Sequence, residues 1–364
     1  MLGICFTFDY ELFFGKNNGS DDEILFDPTQ KLINALVNEG VSATFFADTC
    51  SVYQHEKYNK FDYNDKFRTQ ICNMKKNNQD VQLHIHSHWL NSKLVDGEWI
   101  FDENSYRLQC FDSKNSEMDS INQKDIIEWG VEYLNETLAK IDKKYKCIAY
   151  RAGGFCIQPH QKIIQDLHKC GIRIDSSVAP QLYSLNTTNG YDFRHSVKHT
   201  NWHLSSETPE WWSEGDNKAS ALYEIPVGTI DKNIASFLIR RIFSPNSIKL
   251  DLGEKRGTYI STGIKQHGKW DKLQQIYRYV TGFNAISLDN YQAEYLYEMI
   301  SRYYKKNHCN KRDGYIAVIG HPKLVSENYL INLSKFINLL RASELDIQIT
   351  SIPMIYKNLE ENKS

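Results

Sequence analysis

Two rhythms of apolar and polar residues run along this chain: short apolar runs of strand length, and longer stretches with a period near 3.6. Ile4 to Phe8 reads as a buried strand, followed by a loop with Gly15, Asn17, Asn18 and Gly19. A helix is predicted from about Pro28 to Asn38, with Asp27 as N-cap, Pro28 in the first turn and Gly40 closing it. A strand at Ala43 to Ala47, a helix near Asp65 to Asn77 and the apolar run Val81 to Leu83 come next. Ile126, Ile127, Val131, Leu134 and Leu138 mark a helix over about Gln123 to Ile141. A strand at Cys147 to Tyr150, a helix near Pro159 to Cys170 ended by Gly171, and a strand at Ile172 to Ile174 continue the order. After a strand at Tyr223 to Val227, the last third predicts a helix from about Asn290 to Lys305 and a strand at Tyr315 to Ile319. A helix near Glu327 to Leu340 and a final strand around Ile347 to Ser351 complete it. Repeated strand-then-helix units of this kind predict an α/β fold with a parallel sheet or barrel.

Three stretches break the rhythm, at about 90–120, 183–221 and 229–288. The first two carry or border Trp89, Trp99, Trp202, Trp211 and Trp212, and insertions after barrel strands are where specificity usually sits. Trp89 and Trp202 are therefore candidates to stack on a sugar ring, the alternative being that such tryptophans cap the core. In the third stretch, Phe237 to Phe243 has the makings of a basic amphipathic helix touching a membrane, with an ordinary packed helix as the plainer account. No repeat, low-complexity segment or domain linker is found, so residues 1–364 are expected to form one domain with insertions.

Composition narrows the classes. With 41% hydrophobic and 24% charged residues and no apolar stretch of spanning length, the chain reads as globular rather than membrane-embedded. A net charge of -2, with no basic block, argues against a nucleic-acid partner. The eight cysteines show no C-x-x-C pair and no framework spacing, so reduced, buried thiols are expected. Met1-Leu2-Gly3 runs straight into the first strand without a leader pattern, and a cytoplasmic location is expected.

The chemistry gathers where strands end. His84, His86 and His88 follow an apolar run, and imidazole is the commonest ligand for a catalytic first-row metal ion. At about 3.3 Å per residue, full extension would hold His84 and His88 about 13 Å apart, too far to share an ion. The pair is either His84 with His88 across a helical turn, or His84 with His86 along a strand; Ser87, a turn-prone residue, favours the first. Asp9 and Glu11 lean to one side of an extended segment, so one can hold metal while the other takes a proton. Arg151, Asp175 and His321 also end strand-like runs, and five strands delivering such groups to one rim describe a site.

Thr7-Phe8-Asp9-Tyr10-Glu11, Ala43-Thr44-Phe45-Phe46, His84-x-x-x-His88, Arg151-Ala152-Gly153-Gly154-Phe155, Asp175-Ser176-Ser177 and Gly320-His321-Pro322 together resemble the ordered motifs of NodB-type polysaccharide deacetylases. The likeness spans about residues 4 to 322, the three irregular stretches apart. It implies a single distorted (β/α) barrel and a hydrolase taking an N-acyl group from a sugar or glycan, as in the making of a surface polysaccharide. By the resemblance Asp9 matches the base, Glu11, His84 and His88 the ligands of a divalent metal with zinc as the expected ion, and His321 the general acid. Arg151 matches the residue orienting the base, and Asp175 the partner of His321. The chain departs from the usual pattern in two places: Tyr10 separates the acids, the second being glutamate, and the arginine motif lacks its proline. Asp9 and Glu11 therefore admit exchanged roles. A membrane would be met only through a lipid-linked substrate. The rival readings are an amidohydrolase on a non-sugar amide and a silent carbohydrate-binding protein; no glycine-rich phosphate cradle supports a phosphohydrolase.

Overall fold

Strand β1, Leu2–Tyr10, is buried at every position, the pattern of a strand covered on both faces. The structure, a computed structural model, describes residues 1–112, 121–184, 186, 188–197, 200–204, 222–232, 248–253, 256–258 and 282–361. Around β1 lie β2 (Thr44–Asp48), β3 (Asp80–Ile85), β4 (Ala149–Ala152), β5 (Ile174–Asp175), β6 (Trp202–Leu204), β7 (Leu222–Glu224), β8 (Gly314–Gly320) and β9 (Ile347–Thr350). They form one sheet in the order β6-β7-β5-β4-β3-β2-β1-β8, with β9 also pairing β1. All pairings are parallel except β6 on β7.

This sheet is curled. The segment after β7 still bonds along β5, through Val227 N to the Val178 carbonyl, while Gly228 N reaches the Ala317 carbonyl in β8. The segments after β7 and before α6 thus come within hydrogen-bonding reach of the edge strand β8, through single parallel bridges Val227↔Ala317 and Ser287↔Ile319 rather than a continuous ladder. The architecture is mixed α/β with a curled, mostly parallel sheet.

Helices α1 (Asp27–Asn38), α2 (Thr49–Lys57), α3 (Phe61–Lys76), α4 (Gln123–Leu138), α5 (Gln161–Lys169), α6 (Ala293–Lys306), α7 (Glu327–Arg341) and α8 (Ile352–Glu361) accompany the strands. Local chemistry sets their ends. At α4 the Asn122 side chain accepts from the backbone of Lys124 and Asp125 while Asp125 accepts from Asn122 N, a reciprocal capping box. Gly171, at φ +92, releases the chain after α5 into β5. At α1 the outcome differs from expectation: Asp27 is already helical and follows a π-turn over Asp22–Phe26, with no side-chain cap. The core joins layers through rings, with Phe6 edge-on to Phe336 of α7 at 5.9 Å and Phe8 against Phe45 of β2 at 5.3 Å.

The irregular stretches contain more order than their sequences suggest. Hairpins form at Lys93–Val95 with Glu98–Ile100 and Tyr183–Ser184 with Tyr191–Asp192, and Thr229–Asp231 pairs antiparallel with Phe283–Ala285. The expected amphipathic segment at Phe237 to Phe243 and the tryptophans Trp211 and Trp212 lie outside the described residues. Among the described residues, no helix is long and apolar enough to cross a membrane.

Candidate active site

Parallel strands send their C-terminal ends to one side, and there the chain brings its titratable groups together. Asp9 is the penultimate residue of β1 and Glu11 follows that strand. β3 ends at Ile85, and His86, at φ -109 and ψ 85, has not yet turned helical, so His84 and His86 lie toward one side. The donor atoms of Glu11, His84 and His86 lie within 4.8 Å of one another, and all three residues are buried.

Hydrogen bonding sets the donors. His84 Nδ1 lies 2.7 Å from the Arg151 carbonyl oxygen, which only accepts, so Nδ1 carries the hydrogen and Nε2 presents a lone pair. That Nε2 faces Glu11 Oε2 at 3.0 Å, and His86 Nε2 faces the same oxygen at 2.5 Å. A lone pair confronting a carboxylate oxygen needs a proton or a cation between them. Burial opposes a charge on His84, yet Asp9 and Glu11 outweigh it and raise its pKa to about 9. Two imidazoles and a carboxylate, one imidazole fixed by a carbonyl behind it, fit a first-row divalent ion. Gly153 makes room for this arrangement, since a Cβ there would sit 2.6 Å from His86 Nδ1.

His88, expected as a ligand, lies outside that group. It stands in a 3-10 turn, Ser87–Asn91, with its ring stacked on Tyr106 at 4.7 Å and edge-on to Phe14 at 4.6 Å. Neither ring nitrogen has a hydrogen-bond partner, and burial holds its pKa well below the usual value. Pairing four residues apart required the turn to begin at His84; the helical turn begins only at Ser87.

Asp9 has a dedicated cation. Arg151 is fully buried, and its Nη1 donates to Asp9 Oδ1 at 2.7 Å. Nε and Nη2 are held by the Ser176 carbonyl, Ser176 Oγ and Thr7 Oγ1, each at 2.9 Å. Burial pushes the Asp9 carboxyl up, but Arg151 first, then His84 and His321, bring it below the usual value. The other oxygen, Oδ2, looks toward His84 Nε2 at 3.9 Å and His321 Nε2 at 3.8 Å.

His321 follows β8, and its side chain is 20% exposed, against 7% or less for Asp9, Glu11, His84 and His86. Its Nδ1 lies 2.7 Å from Asp289 Oδ2, and its backbone N donates to Asp289 Oδ1 at 3.0 Å. Burial disfavours the charged ring, but Asp289 and then Asp9 raise its pKa. Asp289, not Asp175, is therefore the partner of His321. The 286–289 segment runs beside β8, with Leu288 N on the Ile319 carbonyl, and so delivers Asp289 to His321. Asp175 accepts from Ser177 Oγ at 2.6 Å and shares a hydrogen bond with Glu224 of β7, burial raising both carboxyl groups.

Trp89 and Trp202 are corrected as well. Both are buried, at 0% and 2% exposure, and neither presents a face for a sugar. Trp89 fills a ring cluster with Phe101 at 4.7 Å and Trp99 at 5.2 Å. His86 was the alternative that sequence reasoning placed second; Asp289 and Lys323, whose Nζ donates to Glu11 Oε1 at 2.7 Å, it missed. Lys323 offered one signal, its place two residues beyond His321.

No family model and no curated protein matches the chain. Solved structures do. One assigned as a glycoside hydrolase/deacetylase from Parabacteroides distasonis aligns at TM-score 0.55 and 9% identity, over 99% of this chain and 71% of that one. A polysaccharide deacetylase from Pseudomonas aeruginosa PAO1 and the PuuE allantoinase each align at TM-score 0.50 and 9% identity, over 99% of this chain and, respectively, 91% and 90% of theirs. At such identity the likeness is one of fold: from end to end, the chain follows the fold of polysaccharide deacetylases.

Proposed function

We propose that this chain is a metal-dependent hydrolase that removes an N-acetyl or other N-acyl group from an amino sugar, as a step in making a surface polysaccharide. The observation that carries the reading is the grouping of Glu11, His84 and His86 between two tuned pairs, Asp9 with Arg151 and His321 with Asp289. Glu11 and the two histidines would hold a divalent ion, zinc suiting the donor set. When bound, such an ion supplies a Lewis acid that polarises the acyl carbonyl and acidifies water.

The remaining chemistry belongs to the chain. Asp9, kept ionised by Arg151, accepts a proton from the attacking water as the oxygen–carbon bond forms. His321, kept protonated by Asp289, gives its proton to the amine as the carbon–nitrogen bond breaks. Arg151 turns Asp9 by holding one oxygen and leaving the other toward the histidines. The exposed edge of His321 marks the side from which substrate enters.

The reading takes residues 1–364 as one distorted (β/α) barrel closed through the Val227–Ala317 contact. A cytoplasmic location goes with it, supported by eight free cysteines. Acetate release from a panel of N-acetylated amino sugars tests it: chelation should abolish turnover and added zinc restore it, while Asp9→Asn should lose about 10²–10⁴-fold with metal retained. Full turnover after both treatments refutes the reading. The allantoinase among the fold relatives favours a second reading, a non-sugar amide as substrate. Allantoin and formamide in the same panel separate the two, and tight sugar binding without turnover would mark a silent binding protein.

A further inference from the structure

Lysine is rarely fully buried, because an ammonium taken from water is costly unless it is paired. Lys323 is 1% exposed. The short turn Pro322–Leu324 aims it inward, where Nζ donates to Glu11 Oε1 at 2.7 Å and to the Leu12 carbonyl at 3.0 Å. The rings of Phe13 and Phe14 lie 5.0 and 5.1 Å from the same nitrogen, within cation–π range. The carboxylate, the carbonyl and the two rings thus hold an ammonium where water does not reach.

Its placement has a consequence for the group beside it. Glu11 Oε1 is taken by the ammonium, which leaves Oε2, the oxygen facing His84 and His86, as the donor for an ion. Glu11 is therefore a one-oxygen donor whose charge is already balanced. Asp9 does not make up the deficit, because Arg151 balances it in turn. A divalent ion arriving here meets a neutral carboxylate–ammonium pair and a second positive charge across a single carboxylate.

We infer that Lys323 is a built-in counter-cation of Glu11 that competes with the divalent ion for this carboxylate and holds the site's metal affinity down. The inference rests on the metal reading above, and concerns how tightly the ion is held rather than whether the chain hydrolyses amides. Removing the ammonium while keeping the volume frees the charge and second oxygen of Glu11. Tightening of about 10–100-fold is expected, the size of effect that partners of metal ligands exert.

The test is zinc titration of the chelator-stripped full chain against a chromophoric competitor, for the wild type, Lys323→Gln, Lys323→Met and Lys323→Arg. The Gln and Met variants should bind zinc 10–100-fold more tightly, and the Arg variant, which keeps the charge, should bind like wild type. Thermal unfolding with and without zinc is the second readout, since stripping the cation leaves Glu11 buried without its partner. The zinc-dependent gain in Tm should be larger in Gln and Met than in wild type, including when those variants fold only with zinc. Equal or weaker zinc binding by folded Gln and Met variants overturns the inference alone, as does failure of both to fold with zinc present. Uptake by the variants but not by wild type supports it. Uptake by none overturns it together with the metal reading.

Discussion

The sharpest perturbation is Asp289→Asn, because it separates Asp289 from Asp175, the residue that motif order pointed to. The change keeps the shape at His321 Nδ1, 2.7 Å away, and removes the charge. Hydrogen bonds to charged groups contribute about 1.5–3 kcal/mol, and one pKa unit corresponds to about 1.4 kcal/mol, so the His321 pKa should fall by about 1–2 units. Asp9 Oδ2, 3.8 Å from Nε2, still supports the charged ring and limits the fall. A general acid must be protonated, so activity is lost as pH rises through its pKa. The alkaline limb of kcat/KM should therefore move down by about 1–2 units in Asp289→Asn and stay in place in Asp175→Asn. Stability follows the same sign. A histidine whose pKa is raised on folding contributes stability that is fully present below its unfolded value near 6.5, and lost as pH rises through the folded one. Urea unfolding at pH 6 should show the loss in Asp289→Asn, and the gap from wild type should narrow as pH climbs through the raised value. Superimposable kcat/KM profiles for wild type and Asp289→Asn would refute the pairing.

Three further outcomes follow from the same geometry. His86→Asn should weaken zinc binding by more than the roughly 10–100-fold that outer partners are worth, whereas His88→Phe should keep the ion; competition titration reads both, and the reverse pattern would restore His88 as ligand. His88→Phe should also leave stability unchanged or raise it by about 1 kcal/mol, since it removes two buried nitrogens that lack partners from a pocket of rings. Arg151→Met strands the Asp9 charge in the interior and should cost about 3–5 kcal/mol in urea unfolding, much of it regained in the Asp9→Asn/Arg151→Met double variant. A double variant no more stable than Arg151→Met would show that the bonds from Arg151 to Ser176 and Thr7 dominate instead.

What the chain reveals before folding depends on how local each cause is. The strand-end chemistry of Asp9, Glu11, His84, Arg151 and His321 was legible because alternating apolar runs mark strands, and parallel strands share one exit side. Helix α2 escaped notice for a local reason too: its buried face includes Thr49, Ser51, Gln54 and His55, so it has no apolar stripe to read. The choice between His86 and His88 was not local. It turns on where extended backbone ends, and His86 is held there by a carboxylate of another strand, its N donating to Asp48 Oδ1 at 3.1 Å. Asp289 was hidden likewise, because its meeting with His321 depends on a bridge between residues 287 and 319. Trp89 and Trp202 misled because loop-like flanks say nothing of what folds over a side chain. Lys323 is the extreme case: composition assigns lysine to the surface, and the Glu11 carboxylate and Leu12 carbonyl, brought from the opposite end of the chain, make an interior position tolerable. Groups that converge from the ends of their own strands can be read in order along the chain, whereas Lys323, which balances the charge of Glu11, comes into view only when strands β1 and β8 are laid side by side.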